Sequence, residues 1–317
     1  MQDNTLKPVK LYLLAGFLGA GKTTLLKRML NHLSDYKLGV LVNEFGKVGI
    51  DGRLIEDQDL KMVEINNGSI FCACLKANFL RALIKFSESE VDLLLVENSG
   101  LADPSGIRGI LAGVASRLKR PYEYCGCIDV LDCTTFLQHA DVLLPVEHQV
   151  ASSEIVLLNK TDLADEATIL EVEERVQEIH PGVKMIRTSF AEVPMAELMQ
   201  LPAAIGPELD SCNTEWNRPG SYTVAAAGPQ EREKMIAFAR AVTEDVLRLK
   251  GFFPAEDGIY MVEVAGSIVN CEPYTLPEKH APHGAELAVI TREKHAEDLL
   301  RAAWAAAVGG EVTVSRN

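Results

Sequence analysis

The stretch Leu14–Leu26, LAGFLGAGKTTLL, places three glycines, a lysine and two threonines directly after an apolar run. It fits the pattern G-x-x-x-x-G-K-[ST], with Gly16, Gly21, Lys22 and Thr23 at the fixed positions. The apolar run predicts a strand and the apolar spacing after the glycines predicts a helix, which is the context in which this pattern binds phosphate. We therefore predict a phosphate-binding loop shaped for a nucleoside triphosphate.

Each position of this loop has a chemical reason. Backbone N–H groups of the loop and of the helix N-terminus converge on one concavity and attract phosphate. A side chain on Gly19 or Gly21 would crowd that space. Lys22 supplies positive charge to the β and γ phosphates, and the Thr23 hydroxyl can ligate Mg²⁺. The predicted nucleotide-binding residues of the loop are Gly16, Gly19, Ala20, Gly21, Lys22, Thr23 and Thr24.

A second motif, LLNKTDL at 157–163, ends an apolar run with Asn-Lys-x-Asp. The Asp162 carboxylate can accept two hydrogen bonds from N1–H and the exocyclic amine of guanine, whereas adenine offers no such pair of donors. We expect Asn159 to steady the loop and the stem of Lys160 to lie over the ring. Residues 188–189, Thr-Ser, are expected to complete the pocket. The sequence therefore predicts GTP in preference to ATP.

Acidic side chains stand at two further predicted strand ends. VDLLLVENSG ends in Glu97, followed by Gly100, and VLVNEFG places Glu44 at the end of another run. A carboxylate at this edge can hold Mg²⁺ through water or orient the attacking water, and the Gly100 N–H can sense the γ-phosphate. Four residues are thus predicted to be catalytic: Lys22, Thr23, Glu97 and Glu44.

Strand and helix patterns alternate through the first two thirds of the chain. Near-continuous apolar runs suit strands that are buried on both faces of a parallel sheet. We predict the α/β class: a P-loop NTPase domain with a doubly wound, mostly parallel sheet, followed by a smaller α+β C-terminal domain. The expected boundaries are a GTPase domain over 1–200, a linker over 201–220 and the C-terminal domain over 221–317. In that last domain, one helix is predicted over 230–250.

The composition and net charge of the chain limit the classes of partner that it can bind. The chain has 317 residues, of which 47% are hydrophobic, and a formal net charge of −14, which argues against binding to nucleic acid or to an anionic membrane surface. The first ten residues are polar, and no apolar stretch approaches the ~20 residues of a membrane span, so we expect a cytoplasmic protein. Seven cysteines in a chain of this size favour buried thiols or metal ligands over disulfides.

Together, GFLGAGKTT, VNEFGKVGID, ENSGLADP and the stretch from Gln149 through LLNKTDL resemble the CobW/HypB/UreG family of P-loop GTPases, and most of all its CobW-like branch. The resemblance covers residues 9 to ~190. RLKGFF at 248–253 and the strands after it resemble that branch's C-terminal domain. The resemblance implies slow hydrolysis of GTP with Mg²⁺, and delivery of metal ions or cofactors to a client metalloprotein or cofactor-dependent enzyme.

The chain departs from this branch at its cysteine motif. The branch usually carries Cys-x-Cys-Cys after an Asn-Gly or Gly-Gly pair, but here the stretch is NNGSIFCACLKANF. Ser69 and Phe71 replace two of the three cysteines, only Cys72 matches, and Cys74 lies two residues further on. The family's metal-binding residues therefore carry over at Cys72 alone.

Cys72 and Cys74 still offer two thiolates to an ion such as Zn²⁺ or Co²⁺, although a closed zinc site needs four ligands. Candidates for the remaining ligands are Cys125 and Cys127, Glu44, or residues of a second subunit. Homodimerisation is therefore one of the alternatives. The alternative is that these cysteines are ordinary buried thiols.

Three functional hypotheses follow from these patterns. The first is a GTPase that releases bound metal as GTP is hydrolysed. The second is a GTP-dependent remodelling chaperone for a cofactor-dependent enzyme, such as a corrinoid enzyme, that carries no transition metal of its own. The third is a module that holds nucleotide and barely hydrolyses it.

Overall fold

The computed structural model of the chain describes residues 6–43, 61–65, 76–140, 143–201, 220–266, 268–276 and 281–316. These residues form two compact units, one up to residue 201 and one from residue 220 onward. The linker predicted over 201–220 lies almost wholly outside the described residues. Within the described parts, no helix has both the length and the apolar character needed to cross a bilayer.

The first unit is built on a seven-stranded sheet whose neighbouring strands are all parallel, in the order β3-β2-β4-β1-β5-β6-β7. Its strands are β1 (Val9–Ala15), β2 (Leu38–Asn43), β3 (Lys61–Ile65), β4 (Leu93–Glu97), β5 (Tyr122–Asp132), β6 (Ile155–Asn159) and β7 (Lys184–Arg187). Every residue of β4 and β6 is buried, as expected for strands covered on both faces. This confirms the predicted parallel α/β sheet. The sequence patterns had not indicated β3.

Helices cover both faces of this sheet. They are α1 (Lys22–His32), α2 (Lys76–Ser87), α3 (Ile107–Val114), α4 (Phe136–Ala140), α5 (Leu144–Ala151), α6 (Glu166–Ile179) and α7 (Met195–Met199). Leu26 of α1 and Leu198 of α7 pack with Tyr12 and Leu14 of β1 on one face. Phe79 of α2 and its neighbours in α3 pack with the alternate residues of β1 on the other. Successive side chains of β1 therefore belong alternately to two separate apolar cores, one on each face of the sheet.

A β-bulge in β5 separates two cysteines, Cys125 and Cys127, that were one candidate source of ligands for the same metal site. The pairing of β5 with β1 shifts at Tyr12, which is paired with Gly126 while the preceding Leu11 is paired with Tyr124. The extra residue places the half-buried Cys125 against the core that contains α1, and it places Cys127 within the core that contains α2. Residues two apart normally share a face, but here they do not. The hypothesis that this pair completes one metal site is therefore wrong.

The second unit is a six-stranded sheet in the order β11-β10-β9-β12-β8-β13 with antiparallel pairing throughout. Its elements are β8 (Gly220–Ala227), α8 (Arg232–Ala241), β9 (Val246–Ala255), β10 (Gly258–Ala265), β11 (Ile268–Pro273), β12 (Gly284–Thr291), α9 (Glu297–Ala307) and β13 (Thr313–Arg316). Phe238 of α8 and Trp304 of α9 are fully buried and meet edge to face, with ring centroids 5.2 Å apart. This confirms the predicted α+β class of the C-terminal part.

The single helix predicted over 230–250 is wrong in its second half. Helix α8 ends at Ala241, and residues from Val246 onward form β9, which pairs with β10 on one side and β12 on the other. Its apolar residues satisfied helical spacing, but Val242 and Thr243 are β-branched and disfavour a continuing helix. Pairing on both edges then stabilises a strand that local spacing alone could not reveal.

Replacing two glycines of the first unit by alanine is expected to change the free energy of unfolding in opposite directions. Gly126 has φ +129°, and a Cβ there would lie 2.9 Å from Glu154 Oε2, so Gly126→Ala should lower the free energy of unfolding by about 1–3 kcal/mol. Gly109 is exposed within α3 and has open space around the position of a Cβ, so Gly109→Ala should raise it by about 0.5–1 kcal/mol. Urea unfolding of both variants measures the difference. A Gly126→Ala variant that is as stable as wild type would contradict the bulge.

Candidate functional site

The predicted phosphate loop joins β1 to α1 and is held in a conformation that requires glycine. Gly16 and Gly21 have φ of +134° and +116°. A Cβ on Gly16 would lie 2.2 Å from the carbonyl oxygen of Val130, and one on Gly21 would lie 2.4 Å from Nδ2 of Asn159. Both glycines therefore allow an approach to neighbouring strands that any side chain would prevent.

The start of α1 is open to an anion. Its N-cap is Gly21, which provides no capping side chain, and the first turn of the helix contains no acidic residue. The N–H groups of this turn carry the positive end of the helix dipole. Lys22 is buried, and its Nζ donates hydrogen bonds to the carbonyls of Gly16 (2.8 Å) and Phe17 (2.9 Å). Lysine and helix end thus concentrate positive charge in the concavity of the loop.

Thr23 and Glu97 are brought together although 74 positions separate them. β4 lies beside β1, with Glu97 paired with Leu14, so the carboxyl end of β4 faces the loop. Thr23 Oγ1 donates a hydrogen bond to Oε1 of Glu97 at 2.7 Å, and Glu97 is only 4% exposed. A hydroxyl and a carboxylate oxygen are the donor types that Mg²⁺ prefers, so these two residues fit the predicted ion. Glu44, the other predicted catalytic acid, lies outside the described residues.

On the other side of β1, Asn159 connects three segments. Its amide Nδ2 donates to the carbonyl of Ala20 in the phosphate loop at 2.7 Å, and its Oδ1 accepts from the N–H of Ala191 at 2.9 Å. Asn159 is itself the last residue of β6 and is buried. One side chain therefore fixes the distance between the phosphate loop, the end of β6 and the loop after β7.

The remaining residues of the Asn-Lys-x-Asp motif lie at the same edge. Asp162 is exposed, and its N–H donates to Oγ of Ser189 at 3.3 Å, so the two loops expected to line a base pocket are neighbours. Lys160 Nζ pairs with Oδ2 of Asp132 at 2.6 Å. The sequence patterns had not singled out Asp132, although its position at the end of β5 is the same signal that identified Glu97.

The loop after β4 is anchored to α5 by two consecutive residues. Gln149 is 1% exposed, and its Nε2 donates to the carbonyls of Gly100 (3.2 Å) and Ala102 (2.9 Å). His148 Nδ1 lies 3.2 Å from Oδ2 of Asp103, and this hydrogen bond raises the pKa of His148 above its usual value. Gly100, which was expected to sense the γ-phosphate, is therefore held by a buried amide on a separate helix.

A buried acid that the sequence patterns missed lies below the phosphate loop. Asp129 on β5 is paired with Ala15, the last residue of β1, and is 2% exposed. Burial raises its pKa to about 7, and the positive charge of Lys22 opposes that rise. The carboxyl next to the loop therefore retains its proton to higher pH than an exposed aspartate does.

The comparisons with known proteins agree with this geometry. A family model described as CobW/HypB/UreG, nucleotide-binding domain, matches residues 10–187, more than half of the 317-residue chain. The chain belongs to the CobW/HypB/UreG family. A second model, described as the cobalamin synthesis protein cobW C-terminal domain, matches residues 220–308. The resemblance predicted from the motifs is thereby confirmed.

Similar proteins carry names from zinc biology. The chain is 30% identical to zinc-regulated GTPase metalloprotein activator 1 of Dictyostelium discoideum over 59% of its own length, and spans about half of that relative, 47%. It is 28% identical to the zinc chaperone CobW of Pseudomonas aeruginosa, over 78% of this chain and 77% of that one. An alignment with the solved Zn(II)-bound YjiA GTPase of Escherichia coli covers 95% of this chain and 99% of that one, at 21% identity and a TM-score of 0.45.

The metal ligands expected in this member of the CobW/HypB/UreG family, Cys72 and Cys74, lie outside the described residues. Burial raises the thiol pKa of all four described cysteines: Cys125, Cys127, Cys133 and Cys271. The thiolate is the metal-binding form, so these environments favour neutral thiols. Within the described ranges, no three His, Cys, Asp or Glu side chains are grouped so that they could hold a metal ion.

The Asp103–His148 pair makes stability depend on pH. Because the folded pKa of His148 is raised above 6.5, its stabilising contribution is fully present below about pH 6.5 and is lost as pH rises through the raised pKa. We expect His148→Gln to lower the free energy of unfolding more at pH 6 than at pH 8.5. Urea titrations of both proteins at the two pH values measure this, and an equal loss at both would contradict the ion pair.

Proposed function

We propose that this protein is a GTP hydrolase whose nucleotide state controls delivery of a metal ion to a client metalloprotein. The observation that carries the proposal is the single sheet edge at which the motifs meet. On one side of β1, Thr23 bonds Glu97 at 2.7 Å, and on the other side Asn159 bonds Ala20 at 2.7 Å. Ligands of parallel α/β sheets bind at this edge, beyond the carboxyl ends of the strands.

The residues of the phosphate loop suit phosphoryl transfer to water. Lys22 would exchange the carbonyls of Gly16 and Phe17 for β and γ phosphate oxygens, and the N–H groups at the start of α1 would bind the same phosphates. Thr23 and Glu97 would hold Mg²⁺, which neutralises the charge that develops on the phosphates. Glu97 and Glu44 are the candidates for orienting the attacking water.

The base site favours guanine through hydrogen bonding. The exposed carboxylate of Asp162 is available to accept from N1–H and the exocyclic amine, and its backbone is supported by Ser189. Adenine would leave this carboxylate without those donors, which is the kind of unpaired polar group that discriminates strongly.

The names of the relatives support Zn²⁺ as the ion carried, with Co²⁺ as the second candidate. Cys72 and Cys74 are the proposed ligands from the domain at 1–200, and the domain at 221–317 is proposed to contact the client. The replacement of two family cysteines by Ser69 and Phe71 favours the second candidate function, a GTP-dependent remodelling factor without its own transition metal.

Replacing Asp162 should exchange the preferred base. In Asp162→Asn, an amide that can donate replaces an acceptor, so GTP affinity should fall by at least about two orders of magnitude. Affinity for xanthosine triphosphate, whose C2 oxygen can accept, should rise. Calorimetry with Mg²⁺ measures both nucleotides, and phosphate release that persists in Lys22→Ala would contradict the assigned hydrolytic site.

Metal content distinguishes the two functions. Purified wild-type protein should retain about one equivalent of Zn²⁺ after dialysis and release it as GTP is hydrolysed. The double variant Cys72→Ser/Cys74→Ser should lose this zinc, while Cys271→Ser serves as a control with a half-buried thiol in the other unit. If elemental analysis finds no equivalent of metal in wild type, and the double variant behaves like wild type, the remodelling factor is favoured.

A further inference from the structure

In the part of the chain that the structure describes, backbone strain at residues other than glycine is concentrated in two adjacent loops. Among the described residues, those other than glycine with positive φ are Lys160 (62°), Phe190 (53°) and Ala191 (54°). This conformation is unfavourable for any residue with a Cβ, and more so for a bulky one. Lys160 follows β6 and the other two follow β7, so all three lie at the proposed base pocket. Strain of this kind persists where the surrounding structure and the function require it.

The strained loop after β7 is held by hydrogen bonds to its backbone. Arg28 Nε of α1 donates to the carbonyl of Phe190 at 2.8 Å, and the N–H of Ala191 donates to Asn159 Oδ1 at 2.9 Å. Thr188 Oγ1 donates to the carbonyl of Glu192 at 2.7 Å, closing the loop on itself. The backbone is therefore fixed from three directions in a geometry that glycine would adopt more readily.

The ring of Phe190 is left largely in contact with solvent by the folded protein. It is 68% exposed, the highest value among the exposed large apolar side chains described. An aromatic residue in a left-handed conformation, with its ring left in water, is unfavourable on both counts. Both the left-handed backbone and the exposed ring are explained if the ring contacts a ligand that is bound at this position.

The position of Phe190 in the fold indicates which ligand its ring contacts. Ser189, the preceding residue, accepts from the N–H of Asp162 at 3.3 Å and lies 3.2 Å from Oγ1 of Thr161. Phe190 thus follows directly after the contact between the two loops, and Lys160 stands in the other loop. A purine whose edge is read by Asp162 needs an apolar surface against each of its two faces.

We propose that Phe190 is a base-contacting residue, whose ring forms the wall of the guanine pocket opposite the stem of Lys160. The inference rests on the proposed function, because it assigns a further contact in the same pocket. Stacking on an aromatic ring is tolerant of base identity. Phe190 therefore contributes affinity for the purine, whereas Asp162 contributes the preference for guanine.

The test replaces Phe190 by a residue that has no ring but that tolerates the same positive φ. Asn adopts positive φ far more readily than other non-glycine residues, so Phe190→Asn should be at least as stable as wild type without nucleotide, as measured by thermal unfolding. Its GDP affinity with Mg²⁺ should fall by about tenfold. Affinity for inorganic tripolyphosphate should be unchanged, because it lacks a base. Phe190→Tyr, which restores a ring, should bind GDP as wild type does.

Leu170→Ala is the matched control, since Leu170 on α6 is also an exposed apolar residue, at 52%. Phe190→Trp adds a spectroscopic readout that does not depend on the Asn variant folding well. Its indole emission should be quenched by GDP but not by tripolyphosphate.

The outcomes separate this inference from the proposed function. Wild type that binds GDP no better than ADP would overturn the proposed function. Wild type that prefers GDP, with Phe190→Asn binding equally tightly and no quenching in Phe190→Trp, would overturn the base wall alone.

Discussion

The bridging amide of Asn159 is the interaction on which the candidate site depends. It donates to Ala20 and accepts from Ala191, so one buried side chain sets the spacing between phosphate loop and base loops. The close approach of Gly21 to the same amide shows how tightly this spacing is set, because a Cβ on Gly21 would lie only 2.4 Å from Nδ2. A nucleotide that spans both regions requires its phosphate and base contacts at a fixed separation.

The parallel sheet supplies the platform for this spacing. β1 lies at the centre of the order β2-β4-β1-β5-β6, so strands ending in Glu97, Asp132 and Asn159 flank the phosphate loop on both sides. The buried length of these strands fixes their ends, because each is packed between helices on both faces. The polar residues at the strand ends are thereby positioned by the apolar packing of the strands that carry them.

Much of this site could be predicted because its signals are local. The glycine spacing, the Asn-Lys-x-Asp turn and the apolar runs each depend on neighbours in sequence, and they correctly indicated a parallel α/β sheet with the motifs at its edge. The bulge at Gly126 depends on register with β1, which no local pattern encodes. The same applies to β9, where pairing on both sides decided against the helix predicted through residue 250. Asp129 and Gln149 were missed as site residues for a related reason, since their importance comes from burial beside another element.

The anchoring of the loop after β4 limits how that loop can move. Gln149 holds two carbonyl groups of the loop, those of Gly100 and Ala102, through one amide, and it belongs to a helix that leads within a few residues into β6. Buried amide bonds of this kind are costly to leave unmade. A rearrangement that displaces both Gly100 and Ala102 must break two buried hydrogen bonds or carry α5 along, so movement of this loop is coupled to the position of that helix.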